Sequence, residues 1–199
     1  MKKLLRYGNH KIPKTTAIFN MSSAKRCPAK KLNLCPVIAK GIPCYARKTE
    51  KCRSMGYDMI VKHRTRQEKY WRETDVYNII GDLISIFKSK RVKINLFRFN
   101  ESGDFHDQLD VEKLSLIAEV LKKRFKITTY GYTSRSDLDF SRANFLVKGS
   151  EHDKGNNGRV QILDKGESVL KGYYICPGSC KTCTMCSKSN KRNIAIRRH

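Results

Sequence analysis

Acidic residues are scarce in this chain: 18 Asp and Glu stand against 42 Lys and Arg, for a formal net charge of +24. The shortage is uneven. Residues 171–199 hold 7 basic residues and no acid, and residues 1–72 hold 19 against only Glu50, Asp58 and Glu68. Residues 73–170 are almost balanced, with 16 basic and 15 acidic. Long apolar runs are missing too; nothing approaches the roughly 18 consecutive residues that a membrane span needs. The basic start, Met1-Lys2-Lys3-Leu4-Leu5-Arg6-Tyr7-Gly8, has no apolar stretch behind it, which argues against a secretory leader. The expectation is a cytoplasmic protein. There is no phosphate-binding glycine loop and no Ser-His-Asp arrangement, and neither an internal repeat nor a low-complexity tract.

At 199 residues, with 39% hydrophobic content, the chain has enough material for one domain. Its charge divides that domain into a basic N-terminal segment (1–53), an α/β core (54–175) and a basic C-terminal segment (176–199). Such ends attract a polyanion, and nucleic acid is the default partner. The plainer reading is a solvated basic face. A third is an acidic surface on a host protein.

Periodicity predicts helices over about 54–70, 74–87 and 110–123, the second and third with apolar residues at helical spacing. Thr74 or Asp75 is expected to cap the second. Strands are predicted for 92–99, 126–133, 145–147, 159–163 and 172–175, with a short helix over 136–141. The first 50 residues, rich in Cys, Pro, Gly and Lys, show no clear period and read as irregular structure organised by something other than a core. Strand, loop, helix, strand is the signature of parallel pairing. The fold class is therefore α/β, a partial barrel or an open, mostly parallel sheet with cysteine-rich metal-binding ends. Functional residues in such sheets gather at the carboxyl ends of strands.

Eight cysteines in a chain expected in a reducing compartment point to metal or catalysis before disulfides. Cys176, Cys180, Cys183 and Cys186 lie within eleven residues at spacings x3, x2 and x2. Close thiolates on short loops with Pro and Gly suit a [4Fe–4S] cluster. Zinc, the alternative, commonly takes two separated Cys-x2-Cys knuckles, whereas these overlap. The first three also match the Cys-x3-Cys-x2-Cys spacing of radical S-adenosylmethionine enzymes. There most of the domain follows the motif; here thirteen residues follow Cys186. Cys27, Cys35, Cys44 and Cys52 are spaced more widely, and any one alone reads as a buried free thiol. Four in a segment that looks too poor in large apolar residues for a core point again to metal. Two sites of four, or one site drawing on both ends, remain open.

Glu101, Ser102 and Asp104 follow a predicted strand, where a carboxylate binds substrate or moves a proton. Equally, Asp104 or Asp107 is a candidate cap for the following helix. His106 and His199 read as solvated, though His199 lies within reach of a terminal metal site. Tyr57, Tyr70 and Trp71 offer surfaces for base stacking or core contacts.

The motifs Gly8-Asn9-His10-Lys11, Cys27-Pro28-Ala29 and Cys44-Tyr45-Ala46 recur in order with 98–105 and 130–133. Cys176-Pro177, Cys183-x2-Cys186 and Ile196-Arg197-Arg198-His199 close the series. Together they resemble the phage gene product 88 family, from which the basic N-terminal half and Cys52 depart. The resemblance implies a phage origin and a metal-bearing α/β protein, without implying a reaction. The leading expectation is an iron–sulfur protein acting on nucleic acid or nucleotides, with redox or radical chemistry. The alternatives are a zinc-stabilised nucleic-acid-binding protein without catalysis, and an inhibitor or adaptor of a host protein.

Overall fold

A computed structural model describes residues 4–51 and 57–197. Eight strands form one open sheet: β1 (Arg6–Tyr7), β2 (Thr16–Phe19), β3 (Leu96–Phe99), β4 (Thr128–Thr133), β5 (Leu146–Ser150), β6 (Arg159–Leu163), β7 (Tyr174–Ile175) and β8 (Ile194–Arg197). Their spatial order is β1-β2-β3-β4-β5-β6-β8-β7. Only β1, paired with β2, runs antiparallel. Of the two architectures expected, the open sheet is the one formed.

Six helices, α1 (Pro28–Lys31), α2 (Pro36–Ala39), α3 (Tyr45–Lys51), α4 (Tyr57–Glu73), α5 (Val76–Lys88) and α6 (Gln108–Phe125), occupy the first two thirds of the chain. Asp75 caps α5 by accepting from the amides of Tyr77 (2.9 Å) and Asn78 (3.1 Å). Ile79, Leu83 and Phe87, four residues apart, form the stripe it buries. Asp107 caps α6 through the Asp110 amide at 3.1 Å. That helix buries Val111, Leu114, Ile117, Ala118 and Leu121, and ends at Lys126 in the left-handed conformation. Both pack on the sheet face that carries Ala17, Phe19, Phe97, Phe99 and Val147. Phe99, Phe105, Phe140 and Phe145 form a cluster, with Phe105 stacked on Phe145 at 5.9 Å and the other contacts edge to face at 5.1–6.5 Å; each such pair adds about 0.5–1.5 kcal/mol beyond its burial.

α4 buries a different stripe. Arg64, Gln67, Glu68 and Trp71 turn inward, so most of its packed face is polar. Gln67 donates to Leu4 O (2.8 Å) and accepts from the side chain of Asn20 (3.0 Å). Arg64 donates to Glu50 at 2.8 Å, and Glu50 also accepts from the Ala24 amide. The helix thereby fastens the loop after β2 to α3 instead of contributing an oily layer.

Four expectations are corrected. The N-terminal segment is not irregular: β1 and β2 lie in it, and it gives Leu4, Leu5, Ala17, Phe19 and Met21 to the core. β2 has all four residues buried, so it shows no alternation to read. Residues 136–141 form turns, because Arg135 folds back to pair with Asp137 at 2.7 Å and spans to Phe105 O at 2.6 Å. β3 begins at Leu96, not at Val92, which is exposed. β8 did not figure among the expected strands, yet it pairs with both β6 and β7.

Two outcomes follow from this packing. Gly103 has φ +80°, and a Cβ there would stand 2.1 Å from Ser22 Oγ and 2.6 Å from Ser22 O. Gly103→Ala should cost at least about 2 kcal/mol in urea unfolding, whereas Gly81→Ala, in open space on α5, should gain about 0.5–1 kcal/mol. The pKa of His63 is pushed down to about 4 by burial, then by Arg66, Arg6 and Arg64. A depressed histidine pKa means that the folded state binds fewer protons than the unfolded chain. Its stabilising contribution is then full above about pH 6.5 and is lost as pH falls toward 4. Unfolding titrations of His63→Gln should show a flatter acid limb than the parent.

Candidate functional site

The loops after β2, β3 and β4 meet at the carboxyl edge of the sheet. Asn20 Oδ1 accepts from the Ser102 amide (2.8 Å), and Asn100 Oδ1 accepts from the Met21 amide (3.1 Å). Asn100 takes φ +52° to make this turn. Glu101 accepts from Asn9 at 2.7 Å, with Arg64 at 3.8 Å and Arg6 at 4.0 Å from its other oxygen. Ser102 Oγ donates to Glu50 at 3.3 Å. Asp104 accepts from Thr133 Oγ1, the Ser134 amide and the Phe105 amide at 2.7–2.9 Å. It therefore ties β3 to β4, while Asp107 takes the capping role. Burial outweighs these donors and raises its pKa to about 6. The three candidate catalytic residues share one edge, each bonded inward.

The N-terminal thiols border the same edge. Cys27 and Cys35 immediately precede α1 and α2, each followed by proline in the first turn, and Cys44 precedes α3. Cys27 is pushed up to about 12, chiefly by burial and then by the charge of Asp104, with Cys35 adding to it. Cys35 is raised mainly by burial, and it senses Cys44 and Ser134. Cys27, Cys35 and Cys44 thus form a chain of neighbours beside Asp104 and Ser134. Cys52, the side chain of Tyr57 and His199 lie outside the described residues.

The C-terminal thiols lie against the sheet face opposite α5 and α6. Cys176 follows β7 at the far edge of the sheet. The chain then crosses back, and the 3-10 turn Met185–Ser187 rests on β4 and β5. Asn157 holds this segment, donating to Lys188 O (2.9 Å) and accepting from the Lys191 amide (3.2 Å). The Cys180 amide donates to Lys11 O at 2.8 Å, which joins the two ends of the chain. Beneath the thiols, strand register sets Arg98 beside Tyr130, and Tyr132 beside Lys148. Tyr132 lies beside Cys186, and Cys186 is raised to about 11, mainly by burial. The Arg98 charge acts on Cys180, and that of Lys148 on Cys186. Lys148 is 0% exposed and donates to two backbone carbonyls, Asn157 O (2.5 Å) and Arg192 O (2.7 Å). Arg98 Nε is buried and has no hydrogen-bond partner among the described residues.

Among the described residues, no three His, Cys, Asp or Glu side chains converge closely enough to hold a metal ion as they stand. The chemistry of the C-terminal set nevertheless suits a metal–thiolate centre: of four soft donors in eleven residues, Cys180 and Cys186 lie near the half-buried Arg98 and the fully buried Lys148. Arg98 and Lys148 were missed by sequence reasoning. Their signal was a charge at the centre of an otherwise apolar or aromatic strand, Leu96-Phe97-Arg98-Phe99 and Leu146-Val147-Lys148-Gly149.

Two clefts carry positive charge. Lys90, Arg91, Lys93, Arg124 and Lys126 surround one of about 390 Å³ at the amino ends of β3 and β4, with no acid in its lining. The other, about 440 Å³, lies between α1 and α4 and is lined by Arg26, Pro28, Lys31, Leu32, Glu68, Arg72 and His106. His106 is not solvated as expected. Asp110 accepts from both its amide (2.7 Å) and Nδ1 (2.9 Å), and from Trp71 Nε1 (2.6 Å). Trp71 belongs to the core, and Tyr70 donates to Asp82 at 2.6 Å, so both turn away from a stacking role.

No curated protein and no solved structure matches the chain. The family described as Gene product 88 matches residues 2–152. The match covers the Asn9, Cys27, Cys44 and Asn100–Asp104 motifs and ends before the C-terminal thiols. On that span, three quarters of its length, the chain belongs to the gene product 88 family.

Proposed function

We propose that this phage-family protein is a metal–thiolate protein, iron–sulfur in preference to zinc, that acts on nucleic acid. The observation that carries the reading is a pair of cations beneath Cys180 and Cys186: Lys148, fully buried, and Arg98, half-buried with its Nε shut off from solvent. A buried cation needs compensating negative charge, and removing it from water without that costs several kcal/mol. Among the described residues neither has a carboxylate within 4.0 Å; Glu101 acts on Arg98 only from farther away. Four metal-bound thiolates from Cys176, Cys180, Cys183 and Cys186 supply the missing charge. Tyr132, beside Cys186, would be placed to donate to a sulfur, as outer donors do at such centres. The short x3, x2, x2 spacing favours iron–sulfur. A cluster there would supply electron transfer, while the chain's own residues fix its charge and shield it.

The nucleic-acid part rests on the cleft of Lys90, Arg91, Lys93, Arg124 and Lys126. Five cations without an acid, around Phe87 and Phe125, suit a phosphate backbone with apolar contacts alongside. Glu101, Ser102 and Asp104 stand at the opposite edge of the sheet; in this reading they shape the ground on which the N-terminal thiols sit.

Anaerobically purified protein should show a broad band near ~400 nm with matching iron and sulfide, and Cys180→Ser with Cys186→Ser should abolish it. Colourless protein with stoichiometric zinc would transfer the reading to a zinc-stabilised binding module. Binding to DNA and RNA should weaken linearly in log–log salt titration. Lys93→Ala with Arg124→Ala should lower that slope by about 2, one for each cation removed. An unchanged slope would remove this cleft from the interface.

A further inference from the structure

The cleft between α1 and α4 differs from the other basic cleft in one respect: it contains an acid. Arg26, Lys31 and Arg72 bring three cations, and Glu68 lies among them with only 4% of its surface exposed. Glu68 Oε1 forms an ion pair with Arg26 Nε at 3.0 Å, but Oε2 is buried and has no hydrogen-bond partner among the described residues. An acceptor in that state is unfavourable unless a donor reaches it. His106 completes the wall. With Nδ1 engaged by Asp110, its Nε2 is left toward Glu68, 3.9 Å away. Asp110 is itself fixed by Trp71, so the ring has one orientation.

These groups select against a simple anion. Inorganic phosphate would meet the cations but also the carboxylate charge of Glu68. A ligand with a phosphate at one end and a hydroxyl or amine donor at the other satisfies both. The volume of about 440 Å³ suits a small organic molecule of that kind. We propose that this cleft is a binding site for a nucleoside phosphate. Lys31 and Arg72 hold its phosphate, Glu68 accepts from its sugar hydroxyl or base amine, and His106 Nε2 bonds the group between them. The inference does not depend on metal at the cysteines. It deepens the nucleic-acid reading only in supplying a second, distinct site, so the two fail separately.

The same phosphomonoester chemistry is presented by a free nucleotide and by the 5′ end of a strand. The test is calorimetric titration of the full chain with the four common nucleoside 5′-monophosphates, inorganic phosphate, the unphosphorylated nucleosides, and a short single strand with and without a 5′-phosphate. At least one monophosphate should bind saturably, about tenfold or more tighter than phosphate or its own nucleoside. Lys31→Ala and Arg72→Ala, both on exposed positions, should each weaken it several-fold, and Lys93→Ala should not. Glu68→Gln should narrow the preference over inorganic phosphate. The His106 ring proton signals should shift with saturation. Tighter binding of the phosphorylated strand than of its free monophosphate, lost in the same variants, would assign the site to a strand end; the reverse would assign it to the free nucleotide. Absence of saturable binding by every monophosphate and by the phosphorylated strand would overturn the proposal, as would equal affinity for phosphate or insensitivity to Lys31 and Arg72.

Discussion

Two asparagines exchange hydrogen bonds between the first two crossover loops, and the carboxyl edge depends on that exchange. Asn20 receives the Ser102 amide and Asn100 receives the Met21 amide. Each loop thus satisfies a buried backbone donor of the other, which neither could do alone. Gln67 of α4 then closes on Asn20, and the Arg64–Glu50 pair closes on Ser102. The result is a rigid polar plate where an open sheet would otherwise present loose loops. Cys27, Cys35, Cys44 and Asp104 take their positions from it.

The two faces of the sheet follow different rules. One is an ordinary apolar layer beneath α5 and α6. The other carries Arg98, Tyr130, Tyr132 and Lys148 and is covered by a cysteine-bearing segment with little regular structure. Hydrophobic burial holds the first together, and charge and hydrogen bonding organise the second. Alternation along a strand makes this division possible, because neighbouring residues serve opposite faces.

That division also sets what was legible in the sequence. α5 and α6 were readable because Ile79, Leu83 and Phe87, and Val111, Leu114, Ile117 and Leu121, repeat at helical spacing. β4 and β6 were readable from β-branched and aromatic runs. β2 was not, since four residues buried on both sides carry no period. The short helices after Cys27 and Cys35 were hidden by their length, although Cys-Pro marked both starts, whereas the helix that begins after Cys44 was readable. The site residues after β3 were found by position in the topology. His106 and Glu68 were not, because their importance lies in a cleft between elements far apart in sequence, and a single histidine or glutamate gives no local sign of it.

The register of β2 has a consequence for how the chain is born. Thr16 pairs with Leu96 and Phe19 with Phe99, each 80 positions apart. A ribosome delivers β2 long before its parallel partner, and closing so long a loop is entropically slow. Until β3 emerges, only the two-residue ladder with β1 is available to β2. The first three thiols of the N-terminal group must therefore wait in a nascent chain that cannot yet position them, and their environment is assembled late, in one step with the middle of the sheet.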